Sequence, residues 1–433
     1  MKTLLWKNLS ARQRTDALAR PAQSARPQIA TDVARIITDV RRNGDASLRR
    51  LTAKFDGVRL SSLRVTETEF AVAEKSLSRA DRAALRAAYH NLRRFHSAQR
   101  PAALRVETQP GIVCEKLVRP IGRVGLYVPG GSAPLFSTAL MLGVPSQLAG
   151  NPVRALCTPP GRDGRVSPWI LCAARLCGIR DVFKVGGAQA IAALAYGTSS
   201  VPKCDKVFGP GNAFVTEAKL QVSRAAAGAA IDLPAGPSEL MVIADNSADP
   251  SFVAADLLSQ AEHGADSQVV LIALSAKFAA RVQAELARQL ADLPRAAIAR
   301  RALAGSRFIV GANLAEAATI ANAYAPEHLI FQVKNPRALL AAITTAGSVF
   351  LGAWTPESLG DYASGTNHVL PTYGWARSCS GLGLADFLRS MTVQTATPRG
   401  LLKLGPIVER LALAENLTAH QRAVRVRLAA LNS

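Results

Sequence analysis

Six histidines occur in the 433 residues, and four of them stand close to carboxyl or amide side chains. They are His263 in Gln260-Ala261-Glu262-His263, His328 in Pro326-Glu327-His328, His368 in Asn367-His368, and His420 in Glu415-Asn416-Leu417-Thr418-Ala419-His420. Gln260 and His263 fall at the end of a predicted helix, on one face of it. An amide oxygen and an imidazole nitrogen so placed can bind one metal ion. A zinc site needs two more donors, or fewer if it stays open for substrate. Asp361, in Leu359-Gly360-Asp361-Tyr362, is a candidate carboxylate, and His420 is a candidate second imidazole. On spacing alone the Gln-x-x-His pair also reads as a structural histidine with its bonds satisfied. No H-E-x-x-H run is present, which disfavours a zinc peptidase.

Glu327 and His328 enter a predicted strand, His328–Phe331. Adjacent strand residues point to opposite faces, so both serve one site only at the strand's mouth, where the backbone is irregular. Histidine can take a proton near neutral pH and glutamate can activate water. A structural ion pair is the other reading of this dipeptide. The remaining histidines, His90 and His96, lie in a basic helical region and are expected at the surface.

These side chains must be positioned by the elements around them. From about residue 120, short β-branched runs alternate with Ala-rich helical stretches, the pattern of a parallel sheet covered on both faces. Strands are predicted at Val124–Val128, Val153–Cys157, Asp181–Val185, Lys206–Phe208, Leu240–Ala244, Gln268–Leu274, Phe308–Val310 and Val349–Leu351. Predicted helices lie between them, including Trp169–Leu176, Gln189–Tyr196, Ala213–Ser223, Phe252–Gln260 and Ala279–Leu290. Three strand ends are Gly-rich: Pro129-Gly130-Gly131, Gly186-Gly187 and Gly209-Pro210-Gly211-Asn212. Such turns let backbone amides approach a phosphate, although tight-turn geometry alone also calls for glycine. The dinucleotide fingerprint G-x-G-x-x-G is absent.

The first 105 residues read as helices. Val33, Ile36, Ile37 and Val40 form an apolar stripe that Gly44 breaks. Asp45 is placed to cap a second helix carrying Leu48, Leu51 and Phe55. A third starts after Ser78, with Leu85, Leu92 and Phe95 on one face. From about residue 382 the chain reads as a helical tail.

The net charge of +21 is concentrated at the ends, +13 over residues 1–105 and +5 over residues 389–433. Without interleaved aromatics or a nucleic-acid motif, this excess reads as solvated helix faces rather than a nucleic-acid surface. No apolar run approaches the roughly 20 residues of a membrane helix. The start, MKTLLWKNLSARQR, offers only Leu4-Leu5-Trp6 where a secretory signal needs about 7–15 apolar residues, so export is not expected. The six cysteines form no C-x-x-C pair, which fits reduced thiols in a cytoplasm.

Several long stretches, read together, resemble histidinol dehydrogenase. They are GLYVPGGSAPLFSTALML (125–142), KVGGAQAIAALAYGT (184–198), GPGNAFVTEAKLQVS (209–223), IDLPAGPSELMVIAD (231–245) and ADLLSQAEHGADSQVVL (255–271). The likeness continues through YAPEHL (324–329), GSVFLGAWTPESLGDYASGTNHVLPTYG (347–374) and ENLTAHQRAV (415–424). It implies an α/β fold of two Rossmann-like parallel-sheet domains with helical N- and C-terminal extensions. The first domain would comprise 28–128 and 237–381, the second 129–236, with residues 1–27 and 382–433 as the extensions.

The resemblance also implies NAD-dependent oxidation of L-histidinol to L-histidine through a bound aldehyde, in the histidine pathway, by a cytoplasmic homodimer with one zinc ion per subunit. Gln260, His263, Asp361 and His420 correspond to the zinc ligands, and Glu327 and His328 to the acid/base pair. Ser238, His368 and Glu415 correspond to substrate contacts, beside the zinc ligands and His328. Tyr127, Gln189 and Asn212 correspond to NAD contacts. Glu415 and His420 would reach the partner's site. A same-fold dehydrogenase for a different primary alcohol is the alternative.

Overall fold

β-Branched runs that are apolar on every residue cannot leave a face in water, so they pair side by side and take helices on both faces. The computed structural model of the chain, which describes residues 1–20, 27–130, 135–234 and 236–432, contains two such parallel sheets. The six-stranded sheet runs from Lys2–Leu5 at one edge through Arg307–Val310, Gln268–Ala273, Glu239–Ala244 and His328–Gln332 to Ser348–Leu351. The five-stranded sheet runs Asp181–Lys184, Val153–Thr158, Arg123–Tyr127, Lys206–Phe208, Ala230–Ile231. Every strand predicted from the sequence forms, with ends shifted by at most one residue. Of the four inner strands of the larger sheet, Glu239–Ala244, Gln268–Ala273 and His328–Gln332 are buried along their whole length.

Four features differ from the sequence reading. Residues Lys2–Leu5 form an edge strand, not a helix, before the helix Ala11–Ala17. Their outward burial pattern carries no apolar alternation. Second, the helical region after residue 27 takes most of its core from the five-stranded sheet, with a lesser contact to residues 237–381, where Val369 joins the same core and Asn91 Nδ2 donates to Ala363 O at 2.9 Å. Val33, Ile37, Val40, Leu48 and Leu51 share a core with Ala155, Phe183 and Val207, while Phe70, Leu85 and Leu92 share one with Val124 and Leu126. Third, the tail opens on a strand. Leu388–Ala396 pairs antiparallel with Ile112–Pro120, which pairs in turn with Leu104–Gln109. Helices Pro398–Ala414 and Thr418–Asn432 follow.

The fourth difference lies in the last turn of one helix. Leu85, Ala88, Leu92 and His96 form the buried stripe of the helix Arg79–Ser97, and Phe95 is 45 % exposed. His96 is therefore a core residue and not a surface one. Its Nδ1–H donates to Gln99 Oε1 at 2.9 Å, and burial lowers its pKa. Phe55 is likewise exposed.

Gly44 breaks the helical run Pro27–Phe55 as expected, with φ of 49° and ψ of −130°. Asp45, read as a cap, instead accepts hydrogen bonds from the backbone N–H and hydroxyl of Ser200, tying this helix to the turn after Tyr196. The run ends at Asp56, whose Oδ2 is buried without a hydrogen-bond partner. Burial pushes that carboxyl up to about 6. The folded protein therefore favours the protonated acid, a contribution fully present below the ordinary value of 3.8 and lost as pH rises through about 6. Asp56→Asn is neutral at every pH and should gain stability over wild type at pH 8 but not at pH 4. Two pKa units are worth about 3 kcal/mol, and solvent screening of this half-exposed side chain cuts that to about 1 kcal/mol. Thermal melts should show a rise of about 2 °C at pH 8 alone. Equal melting temperatures there would mean that Asp56 is solvated.

Candidate active site

The helix Pro250–Ala261 begins under an Asp249 cap that accepts from Ser251 N–H at 2.7 Å, with Pro250 in its first turn. It runs antiparallel to the strands, so its C-terminus delivers Gln260 and His263 to the amino edge of the six-stranded sheet. Gln260 is fully buried, and neither its Oε1 nor its Nε2 has a hydrogen-bond partner. Each buried polar atom left so costs about 1–3 kcal/mol. Such a side chain belongs to a site that something else completes.

The Glu327-His328 pair stands at the mouth of the strand His328–Gln332, and both side chains are buried in the same pocket. The backbone of Glu239, on the neighbouring strand, holds both. Glu239 N–H donates to Glu327 Oε2 at 2.8 Å, and His328 Nδ1–H donates to Glu239 O at 3.2 Å. A carbonyl can only accept, so the ring proton sits on Nδ1. His328 Nε2 makes no hydrogen bond and faces Asp361 Oδ1 at 3.6 Å. The other oxygen of Asp361 lies 3.8 Å from His263 Nε2, so one carboxylate bridges two imidazoles. His368 donates from Nδ1 to Asp361 O at 2.9 Å and accepts from Thr138 Oγ1 at 3.2 Å, which makes it a neutral ring whose burial lowers its pKa.

Three acids crowd this site. Burial pushes Glu327 and Glu357 up to about 8 each. Burial also opposes charge on His328, but Glu357, Glu327 and Asp361 outweigh it and lift the imidazole to about 10. Burial raises Asp361 as well, yet His328 beside it wins and the carboxylate is held below its ordinary value. A divalent cation here would offset the crowding of negative charge. His328, Glu357 and Asp361 bring ligand atoms within 4.8 Å of one another. Within this group Glu357 Oε1 faces His328 Nδ1 at 3.2 Å, an ionic contact, while that nitrogen donates to Glu239 O and Oε1 itself has no hydrogen-bond partner. Gln260, His263 and Asp361 have no such internal pairing except the long His263–Asp361 contact, and their amide, imidazole and carboxylate donors suit zinc.

Two further walls come from the five-stranded sheet. Leu135, Ser137, Thr138, Gly209 and Pro210 line the same cleft as Ser238, Gln260, His263, Glu327, His328, Asp361 and His368. The cleft thus lies between the amino edge of one sheet and the carboxyl edge of the other. The carboxyl edge also carries the three predicted nucleotide contacts. Tyr127 ends the central strand, and its hydroxyl accepts from Gly187 N–H at 3.0 Å. Gln189 is buried two residues on, and Asn212 caps the helix Ala213–Arg224. Gly209 needs its lack of a side chain, because φ is +124° and a Cβ would meet Tyr127 O at 2.1 Å. A buried Lys219–Asp232 ion pair clamps this turn from below. Lys219 donates to Gly209 O at 2.9 Å, and Gly209 N–H donates to Asp232 at 2.8 Å. Gly131 of the first predicted turn lies outside the described residues.

Two predicted site residues are not brought to the cleft. Glu415 and His420 are exposed at the bend between the tail helices, and neither lines the pocket. Sequence reasoning missed three residues that do not line the cleft but hold its side chains from behind. Glu239 is one, through its backbone. Arg20 is another: its guanidinium forms a bidentate bond to the Glu239 carboxylate at 2.6 and 2.8 Å and stacks on Tyr324 at 4.0 Å. Glu357 is the third. None stands in a short motif, since each acts across a long sequence separation.

A family profile described as histidinol dehydrogenase matches residues 18–428. The histidinol dehydrogenase of Xanthomonas campestris pv. campestris (strain 8004) is 58 % identical over 428 residues, 99 % of each chain. That of Vibrio vulnificus (strain CMCP6) is 55 % identical over 433 residues, the whole of both. Among solved structures, the histidinol dehydrogenase of Elizabethkingia anophelis superposes with a TM-score of 0.96 at 45 % identity, covering 100 % of this chain and 99 % of that one.

Proposed function

The chain belongs to the histidinol dehydrogenase family, and we propose that it oxidises L-histidinol to L-histidine in two NAD-dependent steps, as part of histidine biosynthesis. The observation that carries this reading is the buried Glu327-His328 pair, with His328 Nε2 unbonded, beside a buried Gln260 that lacks any partner. With a divalent cation offsetting the three acids that favour charge on His328, the ring would be neutral and able to take protons at Nε2, and Gln260 is placed to accept an outside ligand.

The residues act as follows. In the first step His328 Nε2 takes the hydroxyl proton as hydride leaves the carbinol carbon, giving the aldehyde. In the second, Glu327 takes a proton from water as the water oxygen attacks the aldehyde carbon, and protonated His328 returns its proton to the carbonyl oxygen, giving the hydrate and a neutral ring. A carboxylate lifted by burial is a stronger base than an exposed glutamate. His328 then takes a hydroxyl proton of the hydrate as the second hydride leaves, giving the carboxylic acid, which ionises to the carboxylate by releasing its proton to solvent. Tyr127, Gln189 and Asn212 would hold NAD, bound afresh for each oxidation, and it would supply the hydride acceptor each time. The buried walls keep bulk water from the aldehyde between steps.

Gln260, His263 and Asp361 would hold one zinc ion per subunit with His420 of a second subunit, and the ion would orient the amine and imidazole of histidinol. Ser238, His368 and Glu415 would complete the substrate's surroundings. The assembly is then a homodimer with shared sites. The six unpaired cysteines suit a cytoplasmic setting. The basic ends read as solvated faces and not as a nucleic-acid surface. No helix among the described residues is long and apolar enough to cross a membrane.

NADH formation with L-histidinol, before and after chelation, tests the reading. Absorbance should rise by two NADH per histidinol, vanish after metal removal and return with zinc. Preference for another amino alcohol would move the chain to a different substrate, and turnover that survives complete zinc removal would exclude the metal.

A further inference from the structure

We propose that Glu357 is a positioning residue, which fixes the His328 ring through Nδ1 and thereby aims Nε2 at the substrate; this deepens the function proposed above and rests on it. Glu357 is 1 % exposed. Its Oε1 lies 3.2 Å from His328 Nδ1, and its Oε2 accepts from Ser259 Oγ at 3.4 Å. It opens the short helix Glu357–Tyr362, and Asp361 follows one turn later on the same face. That face brackets the ring, with Glu357 on Nδ1 and Asp361 on Nε2. The helix has little room to drift, because a Cβ on Gly360 would come within 2.8 Å of the Phe350 ring. Phe350 itself packs at 6.0 Å from the His328 ring.

The consequence is chemical. Nδ1–H is committed to Glu239 O, which can only accept it, and Glu357 Oε1 stands 3.2 Å from the same nitrogen, so the lone pair that a neutral ring offers for proton abstraction is on Nε2. Each proton that His328 removes turns a buried ring into a cation. Glu357 is the carboxylate in contact with the far nitrogen, so it stabilises that cation without touching substrate. The Ser-His-Asp arrangement of hydrolases uses an acid in the same role.

The zinc-loaded enzyme tests this through Glu357→Gln and Glu357→Asp, with kcat, KM, zinc content and the isotope effect on carbinol-deuterated histidinol measured together. Glu357→Gln keeps the shape and removes the charge. Its kcat should fall by about 10²-fold or more, with KM changed by less than about threefold. Zinc content should equal that of wild type, and hydride transfer should become isotope-sensitive. Glu357→Asp keeps the charge and should recover at least about tenfold of the loss. If Glu357→Gln does not fold, Glu357→Asp still decides the matter, since a carboxylate withdrawn by one methylene should lower kcat alone. Wild-type kcat in Glu357→Gln, or in Glu357→Asp where Glu357→Gln does not fold, would overturn the proposal. Loss of zinc from Glu357→Gln would make Glu357 a metal ligand, and equal losses in both variants would make its charge irrelevant. A wild-type enzyme that ignores histidinol would instead sink the functional reading.

Discussion

His328→Asn is expected to slow both oxidations by about 10²–10⁴-fold, the usual cost of removing one well-placed proton acceptor. Asparagine retains a donor for Glu239 O but offers no basic nitrogen where Nε2 stands. Glu327→Gln should behave differently. Its amide oxygen can still accept the Glu239 N–H bond that holds Glu327 at 2.8 Å, so the backbone around the pair should stand. Only the aldehyde step consumes water, so only that step loses its base. Supplying histidinal directly isolates the second half. The variant should reduce the first NAD from histidinol at close to the normal rate and then stall. Normal oxidation of histidinal by Glu327→Gln would remove the water-activating role. A His328→Asn defect confined to one half-reaction would remove the idea that a single imidazole serves both.

These two residues were legible because they are neighbours in sequence and open a strand whose apolar run is unmistakable. The same holds for both parallel sheets. Strands such as Gln268–Ala273 are apolar on every residue from Val269 on and buried throughout, and nothing but a doubly covered sheet accommodates them. Legibility ended where an element is set by partners far away in the chain. Lys2–Leu5 is a strand only because the Arg307–Val310 edge is there to receive it. Leu388–Ala396 is largely exposed, so its pairing with Ile112–Pro120 left no apolar alternation to read. In the helix Arg79–Ser97 the sequence points to Leu85, Leu92 and Phe95; the first two are buried, and only at the last turn does His96 take the core position in place of the more apolar Phe95. What seats His96 instead is Gln99, whose Oε1 takes bonds from both His96 and Leu384 N–H. Glu357 sits in Thr355-Pro356-Glu357, where an acid looks like an ordinary first-turn residue. Only the fold brings it to His328.

The tail residues pose the opposite problem, since their role came from resemblance and the single chain leaves them in solvent. Glu415 and His420 flank the bend between helices Pro398–Ala414 and Thr418–Asn432, which pack on each other. Those helices leave Leu402, Ile407, Leu411, Leu413, Leu417 and Val426 exposed. So much apolar surface on one arm calls for a cover. Of the basic residues beyond His420, Arg425 is engaged within the arm, 2.8 Å from Glu409. Beside the cleft, Leu359 and Tyr362 are exposed on either side of Asp361. If the arm of a second copy lies there, His420 supplies the donor that Gln260, His263 and Asp361 lack, and each site needs two chains. Complementation then follows from symmetry. His263→Ala and His420→Ala homodimers should each be inactive and poor in zinc. In a heterodimer, one site combines the damaged body with the damaged arm. The other combines the intact body with the intact arm. Random reassortment makes half the dimers heterodimers with one good site each, so activity should return to roughly a quarter of wild type. Zinc should return in the same proportion, which a merely stabilising contact would not produce. Heterodimers proven by mass and still devoid of activity would place the arm on its own subunit, because no reassortment can then rebuild a site whose two halves belong to one chain.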